Sequence, residues 1–201
     1  MSAGVRGRGQ ACGKTILLGE HFVVHGVPAL ALPLTGATTS VRVSRVDAGD
    51  PWVEAAPVPL DEAAHAQSLQ LVRAAHRALG LDGAPSWRVE VTTRVPVGHG
   101  LGPSAAFGVA LLRALAAAGG RELELAELGR LGHQLERLVH GNPSGIDDTV
   151  VTRERPLWFE RGAAPRLVQP SAELDAGLVL ASSGRPGSTR EAVAAVQALR
   201  E

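Results

Sequence analysis

Three segments of this 201-residue sequence carry side chains whose types and spacing could do chemistry. The first is Pro96-Val97-Gly98-His99-Gly100-Leu101-Gly102-Pro103-Ser104-Ala105-Ala106. Three glycines at alternate positions permit tight turns and close approach of backbone to a ligand. The segment follows a strand-like pattern and opens a helix-like one. Helix-start N–H groups, with the helix dipole behind them, would therefore face an anion. The Ser104 hydroxyl would stand beside that anion, within reach of Mg²⁺ bound to phosphates. Taken alone, the glycine pattern also fits an ordinary strand-to-helix turn. It is not a Walker loop, since no lysine follows the glycines, and it lacks the dinucleotide-binding spacing.

The second segment, Gly13 to Gly26, puts Lys14, Glu20, His21 and His25 at the two ends of a short apolar run. A surface strand with polar ends would look the same. Yet Lys14 is the only lysine among the 20 basic residues; all the others are arginine. Either that is chance, or position 14 needs a compact ammonium where a guanidinium fork will not fit.

The third segment runs from Glu136 to Asp148. A helix is expected to end at His140-Gly141, and a Pro/Gly loop would then present Asp147. Gly129, Gly132 and Glu136 fall on one helical stripe. Two glycines there weaken the helix, but would let another backbone approach beside the Glu136 carboxylate. A solvated Glu136 is the alternative. Together the segments offer a phosphate cradle, metal-binding oxygens, a base and a cation, which are the needs of phosphoryl transfer. No nucleophilic serine elbow and no histidine-rich metal motif competes with them.

The elements that must position these groups follow from periodicity. Residues 1–10 are Gly/Arg-rich and expected to be loose. Thr15–Leu18, Ala29–Leu34 and Val41–Val46 read as strands, and Trp87–Thr93 alternates as a half-buried strand should. Ala48–Pro59, with four Gly or Pro residues, reads mostly as loop. Helical spacing predicts helices over Asp61–Leu79, Pro103–Ala118 and Leu123–Val139. Pro103 suits a first turn. Leu157–Phe159 and Gly177–Ala181 read as strands, and a last helix starts at Thr189. Mixed strands and helices make this an α+β or α/β chain.

Composition excludes several classes. Hydrophobic residues make up 45% and charged ones 20%, so the chain can bury a core and is not disordered. Twenty basic residues balance twenty acidic ones, which calls for neither nucleic acid nor an anionic membrane as partner. The most apolar stretch, Ala105–Ala118, is interrupted by Arg113 and too short to span a bilayer. The single cysteine, Cys12, excludes an intramolecular disulfide and a multi-cysteine zinc site. With no secretory signal in Met1–Ala11, the cytoplasm is the expected location.

The wording GKTILLGEHFVVHGVPAL, PVGHGLGPSAAFG and HGNPSGIDD resembles that of the mevalonate kinases, a family within the GHMP kinase superfamily. The resemblance runs from about Gly9 to the C-terminal end. It implies ATP and Mg²⁺ as cofactors and the primary hydroxyl of mevalonate as phosphoryl acceptor, giving 5-phosphomevalonate. Asp147 matches the catalytic base and Lys14 the lysine that pairs with it. Ser104 and Glu136 match the Mg²⁺ ligands. The loop around the ATP phosphates matches here through Pro96, Gly98, Gly100, Leu101, Gly102, Ser104, Ala105 and Ala106. Glu20, His21 and His25 match the substrate side, and Thr189 matches the threonine of an Arg-Ser-Thr element. The implied fold is a ribosomal protein S5 domain 2-like N-terminal domain over residues 9–175, after a flexible stretch at 1–8. Residues 176–201 would be the start of a ferredoxin-like domain.

The sequence departs from that pattern in places. Pro103 stands where a serine is usual, Cys12 where a proline is, Phe107 where a tyrosine is, Gly187 where an arginine is, and Asp148 where an asparagine is. The family's third glycine-rich motif has no counterpart. The expectation is that the chain stops early in its second domain. The alternatives are then a homodimer, a chain completed by a complementing C-terminal polypeptide, or a chain inactive alone. Another GHMP kinase, such as phosphomevalonate kinase, is the alternative among enzymes.

Overall fold

The computed structural model describes residues 6–47, 49–84, 86–171, 173, 177–181 and 189–198. Its centre is a six-stranded sheet built around one long strand. β1 (Arg6–Leu18) pairs antiparallel along nearly the whole of β2 (Ala29–Arg45). The other edge of β2 takes β4 (Trp87–Thr93) against its second half and the short β5 (Leu157–Phe159) against its start. β3 (Trp52–Ala56) adds parallel to β4, and β6 (Arg166–Leu167) adds to β5.

Among the described residues five α-helices accompany the sheet. α1 (Glu62–Ala78) makes the crossover between parallel strands β3 and β4, and Asp61 caps it by accepting from the Ala64 N–H. α2 (Pro103–Ala118), α3 (Leu125–His140) and α4 (Ile146–Arg153) follow β4, and α5 (Thr189–Ala198) comes last. The main core lies between the sheet and α1–α3. It joins Val41, Val43, Val89 and Trp87 to Leu71, Val72, Leu111, Leu115 and Leu131. A smaller cluster joins Ile146 and Val150 of α4 to Ala29, Ala31, Leu157 and Phe159. That cluster ties α4 to the sheet.

β4, α2 and β5 match expectation, whereas four regions correct it. Residues 6–10 are not loose: they are the first half of β1, with Gly7 and Gly9 facing α2. A β-carbon on either would collide with α2 backbone, at Ala114 and Ala118 or at Ala110 and Ala114. The alternation of Arg and Gly is thus a strand with solvent on one face and a helix lying directly on the other. Trp52–Ala56, expected as loop, is β3, because Val53 packs into the core between flanking prolines. Gly177–Ala181, expected as a strand, forms none and is exposed. Asp147 is presented by a helix rather than a loop, since α4 begins at Ile146.

Candidate active site

The sheet and helices bring the three chemical segments together. The ladder between β1 and β2 shifts between Cys12 and Gly13, where the partner jumps from Thr38 to Leu34. Immediately after that irregularity, Lys14 turns inward and is buried. Its backbone N–H donates to the Leu101 carbonyl at 2.9 Å, which pins β1 to the glycine loop. Gly98, Gly100 and Gly102 all take left-handed φ values, 81°, 69° and 68°. A side chain at Gly102 would also run into the lysine: its β-carbon would lie 2.8 Å from Lys14 Cγ. The loop therefore forms a sleeve for the lysine stem.

At the end of that stem, Lys14 Nζ lies 2.9 Å from Asp147 Oδ1. Gly102 is the N-cap of α2, and Pro103 takes the first turn without loss, since a first-turn N–H has no helical partner. Ser104, next along, donates its hydroxyl to Glu136 Oε1 at 2.6 Å. Glu136 is buried on the α3 stripe with Leu128, Leu131 and Leu135, so it is not a solvated residue. Burial raises its carboxyl above the ordinary range, opposed by the Ser104 hydrogen bond and by His140. His140 Nε2 stands 3.4 Å from Glu136 Oε2. Gly132 does admit a close neighbour, but that neighbour is side chain rather than backbone: Asp148 and Thr152 of α4 and Val109 of α2.

A hydroxyl and a carboxylate are hard oxygen donors, the set Mg²⁺ takes when substrate phosphates supply its other ligands. Among the described residues no group of three or more His, Cys, Asp or Glu could hold a metal by itself. Two protein oxygens beside the start of α2 could hold Mg²⁺ only in that shared manner. The Cys12 thiol is pushed up, first by burial and then by Glu154, so it is a poor nucleophile.

A cleft of about 1200 Å³ lies beside this cluster. Thr15, Glu20, His21, Arg94 and the loop residues Pro96, Gly98, Gly100 and Leu101 line it. Glu20 faces the loop, with its Oε1 3.6 Å from where a β-carbon of Gly100 would be. His25 does not line the cleft; its Nε2 is buried without a hydrogen-bond partner. Gly187 and Ser188 lie outside the described residues, and of Thr189 only its place as first residue of α5 is described. Two pairs were missed from the sequence, Arg113–Glu154 at 2.6 Å and His133–Asp148 at 3.3 Å. In the sequence Asp148 stands out only as an aspartate where the resembled family has an asparagine.

Residues 67–152 match the family model of the GHMP kinases N terminal domain. The chain carries a GHMP kinase N-terminal domain. It is similar to the mevalonate kinase of Thermococcus gammatolerans, with 34% identity over 94% of this chain and 60% of that protein. The mevalonate kinase of Pyrococcus horikoshii is also 34% identical, over 92% and 59%. In structure it resembles Methanococcus jannaschii mevalonate kinase, with a TM-score of 0.70 at 18% identity, covering 84% of this chain and 57% of that one. The mevalonate kinase of methicillin-resistant Staphylococcus aureus superposes with a TM-score of 0.65 at 30% identity, covering 82% and 55%. The fold is that of the GHMP kinases, which are ATP-dependent. The chain spans about 60% of the length of the curated relatives it matches. Among the described residues no helix is long and apolar enough to cross a membrane.

Proposed function

We propose that this chain supplies the phosphoryl-transfer site of a mevalonate kinase, converting ATP and mevalonate to ADP and 5-phosphomevalonate. The observation that carries the reading is the pairing of buried Lys14 with half-buried Asp147 beside the glycine loop. Asp147 accepts the proton of the primary hydroxyl as its oxygen bonds to the γ-phosphorus. The bond from that phosphorus to the bridging oxygen breaks, and its electron pair leaves with ADP. Lys14 stabilises the developing alkoxide as a point charge. The glycine loop and the start of α2, with Ala105 and Ala106, present N–H groups to the phosphates. Ser104 and Glu136 would hold Mg²⁺, which supplies charge neutralisation for the phosphates. Glu20 and His21 stand on the mevalonate side of the cleft. The setting that suits such an enzyme is the cytoplasm.

A second reading has one observation in its favour. Arg94 lines the cleft, and a cation there suits an alcohol that already bears a phosphate. Phosphomevalonate kinase is that alternative. ADP release, followed by a coupled assay with Mg-ATP, discriminates them. The assay is run on the chain alone and together with a polypeptide covering the rest of the relatives' length. Turnover of mevalonate but not of 5-phosphomevalonate is expected, and the reverse would replace the first reading with the second. Turnover only with the added polypeptide would mean that the cleft needs that complement. No turnover of either substrate in both arms would overturn the kinase reading.

A further inference from the structure

His133 sits on α3 one turn before Glu136 and is 39% exposed. It touches α4 on both sides of Asp147. On one side, its Nδ1 lies 3.3 Å from Oδ2 of Asp148, the residue immediately after Asp147. On the other, its ring covers Gly145, the N-cap of α4 and two residues before Asp147. A β-carbon on Gly145 would lie 3.6 Å from His133 Cε1 and 3.7 Å from Nδ1. Opposite the ring, Phe159 Cζ reaches the same spot at 3.6 Å.

Asp148 itself is almost wholly covered. Its Oδ1 has no hydrogen-bond partner, and neither has Thr152 Oγ1 one turn further along α4. Both side chains face Gly132, whose β-carbon would lie 3.9 Å from Asp148 Cβ and 3.8 Å from Thr152 Oγ1. A buried carboxylate with one oxygen unpartnered depends on what meets the other. Burial pushes the Asp148 carboxyl up to about 6 against the pull of His133, and Glu136 of α3 adds to the rise. His140 is placed to meet Glu136 rather than Asp148. The grip on Asp148 therefore comes from His133.

We propose that His133 is a positioning residue for Asp147: by holding Asp148 and covering Gly145 it fixes the first turn of α4, and so keeps the Asp147 carboxylate against Lys14. The role rests on Asp147 being the proton acceptor proposed above. The geometry it controls does not depend on which alcohol is phosphorylated. Alignment of this kind matters because misplacement by about 1 Å can cost about 100-fold in rate.

Lys14 provides the probe. It is the only lysine of the 201 residues, so lysine labelled with carbon-13 gives one Cε signal in the full chain, assigned by its loss in Lys14→Arg. Asp147→Asn marks where that signal goes when the pair is broken. His133→Ala is expected to move the Lys14 signal toward the Asp147→Asn position. His133→Asn, whose side-chain N–H reaches the place of Nδ1–H, is expected to keep it at the wild-type position. In turnover, His133→Ala should lower kcat by about 10- to 100-fold with KM for ATP within about 2-fold, and His133→Asn should recover most of the loss. A folded His133→Ala protein with Lys14 at its wild-type position overturns the proposal, whatever the substrate. Absence of mevalonate turnover in the wild-type chain, both alone and with the added polypeptide, overturns the substrate reading and not this one. If His133→Ala does not fold, Asp148→Ala removes the same grip from the other side, and an unmoved Lys14 signal there overturns the proposal equally.

Discussion

Lys14 and Asp147 meet at 2.9 Å but are unequally covered, the lysine side chain 4% exposed and the aspartate 34%. Water can therefore take over from one partner and not from the other. Removing the aspartate leaves an ammonium buried and unpaired, whereas removing the lysine leaves a carboxylate that can turn to solvent. Asp147→Ala should thus cost more stability than Lys14→Met, by on the order of 2 kcal/mol once the partial exposure of Asp147 is allowed for. Urea unfolding of both variants measures the difference. Equal losses would mean that the lysine is not held as a buried charge.

The same pair sets a kinetic expectation. Asp147→Asn keeps the shape and loses the basicity, so mevalonate turnover should fall by about 1000-fold with nucleotide affinity nearly unchanged. Lys14→Arg should fall by about 100-fold or more, because a guanidinium fork is longer and wider than the sleeve that Gly102 leaves around the lysine stem. Steady-state kinetics with fluorescent-nucleotide binding separates the two quantities. Normal turnover of Lys14→Arg would make the lone lysine a coincidence.

How much of this site was legible in the sequence depended on distance along the chain. Local signals served well. The alternation of Trp87–Thr93 and the proline at the start of α2 located those elements, since strand pleat and first-turn geometry are properties of neighbours. The Gly98-Gly100-Gly102 spacing announced a tight backbone path. The Arg/Gly alternation of residues 6–10 misled, because its meaning lies in α2, more than a hundred residues on, whose backbone fills the space that Gly7 and Gly9 leave. α4 was missed because eight residues behind a Pro/Gly loop carry little periodicity, and its helical state is secured by Ile146 and Val150 packing on the sheet. His133–Asp148 was missed for the same reason: a pair across two helices leaves no spacing rule within either.

Gly102 offers a test of the sleeve on stability. Gly26 and Gly102 have comparable left-handed φ values, 81° and 68°, but an added β-carbon meets nothing at Gly26 and Lys14 Cγ at Gly102. Gly26→Ala should cost about 1 kcal/mol, the conformational term alone. Gly102→Ala should cost that and a further 1–3 kcal/mol or so for the crowding. It should also depress turnover, because the lysine stem must shift. Equal costs in thermal unfolding would show that the stem moves freely.

Ser104 and Glu136 can be separated from ATP binding itself. If the two oxygens hold Mg²⁺ beside the phosphates, Glu136→Gln removes a charge the cation needs, and Ser104→Ala removes a ligand. The Mg²⁺ concentration for half-maximal nucleotide binding should rise by about 10-fold or more in Glu136→Gln and less in Ser104→Ala. Binding of metal-free nucleotide should hold or improve, since a negative charge near the phosphates has gone. Calorimetric Mg²⁺ titrations at fixed nucleotide read this directly. An unchanged titration would return Glu136 to a structural role, as the acceptor of the Ser104 hydroxyl.

Asp148 makes a prediction whose sign is opposite to that of most carboxylates. Burial pushes its carboxyl from an ordinary 3.8 up to about 6. Between those values the folded protein holds a proton that the unfolded chain has lost. The folded state therefore binds more protons, and stability falls as pH rises through that window. Well below pH 3.8, both states are protonated and the residue has no effect; well above pH 6 the penalty is complete. Asp148→Asn carries no charge to bury and can still hydrogen-bond to His133. It should match the wild type well below pH 3.8 and exceed it at pH 7–8 by on the order of 2–3 kcal/mol. Urea unfolding of both proteins across this range gives the difference curve. A difference that does not change with pH would mean that Asp148 ionises in the fold as readily as in the open chain, and that His133 meets its full desolvation cost.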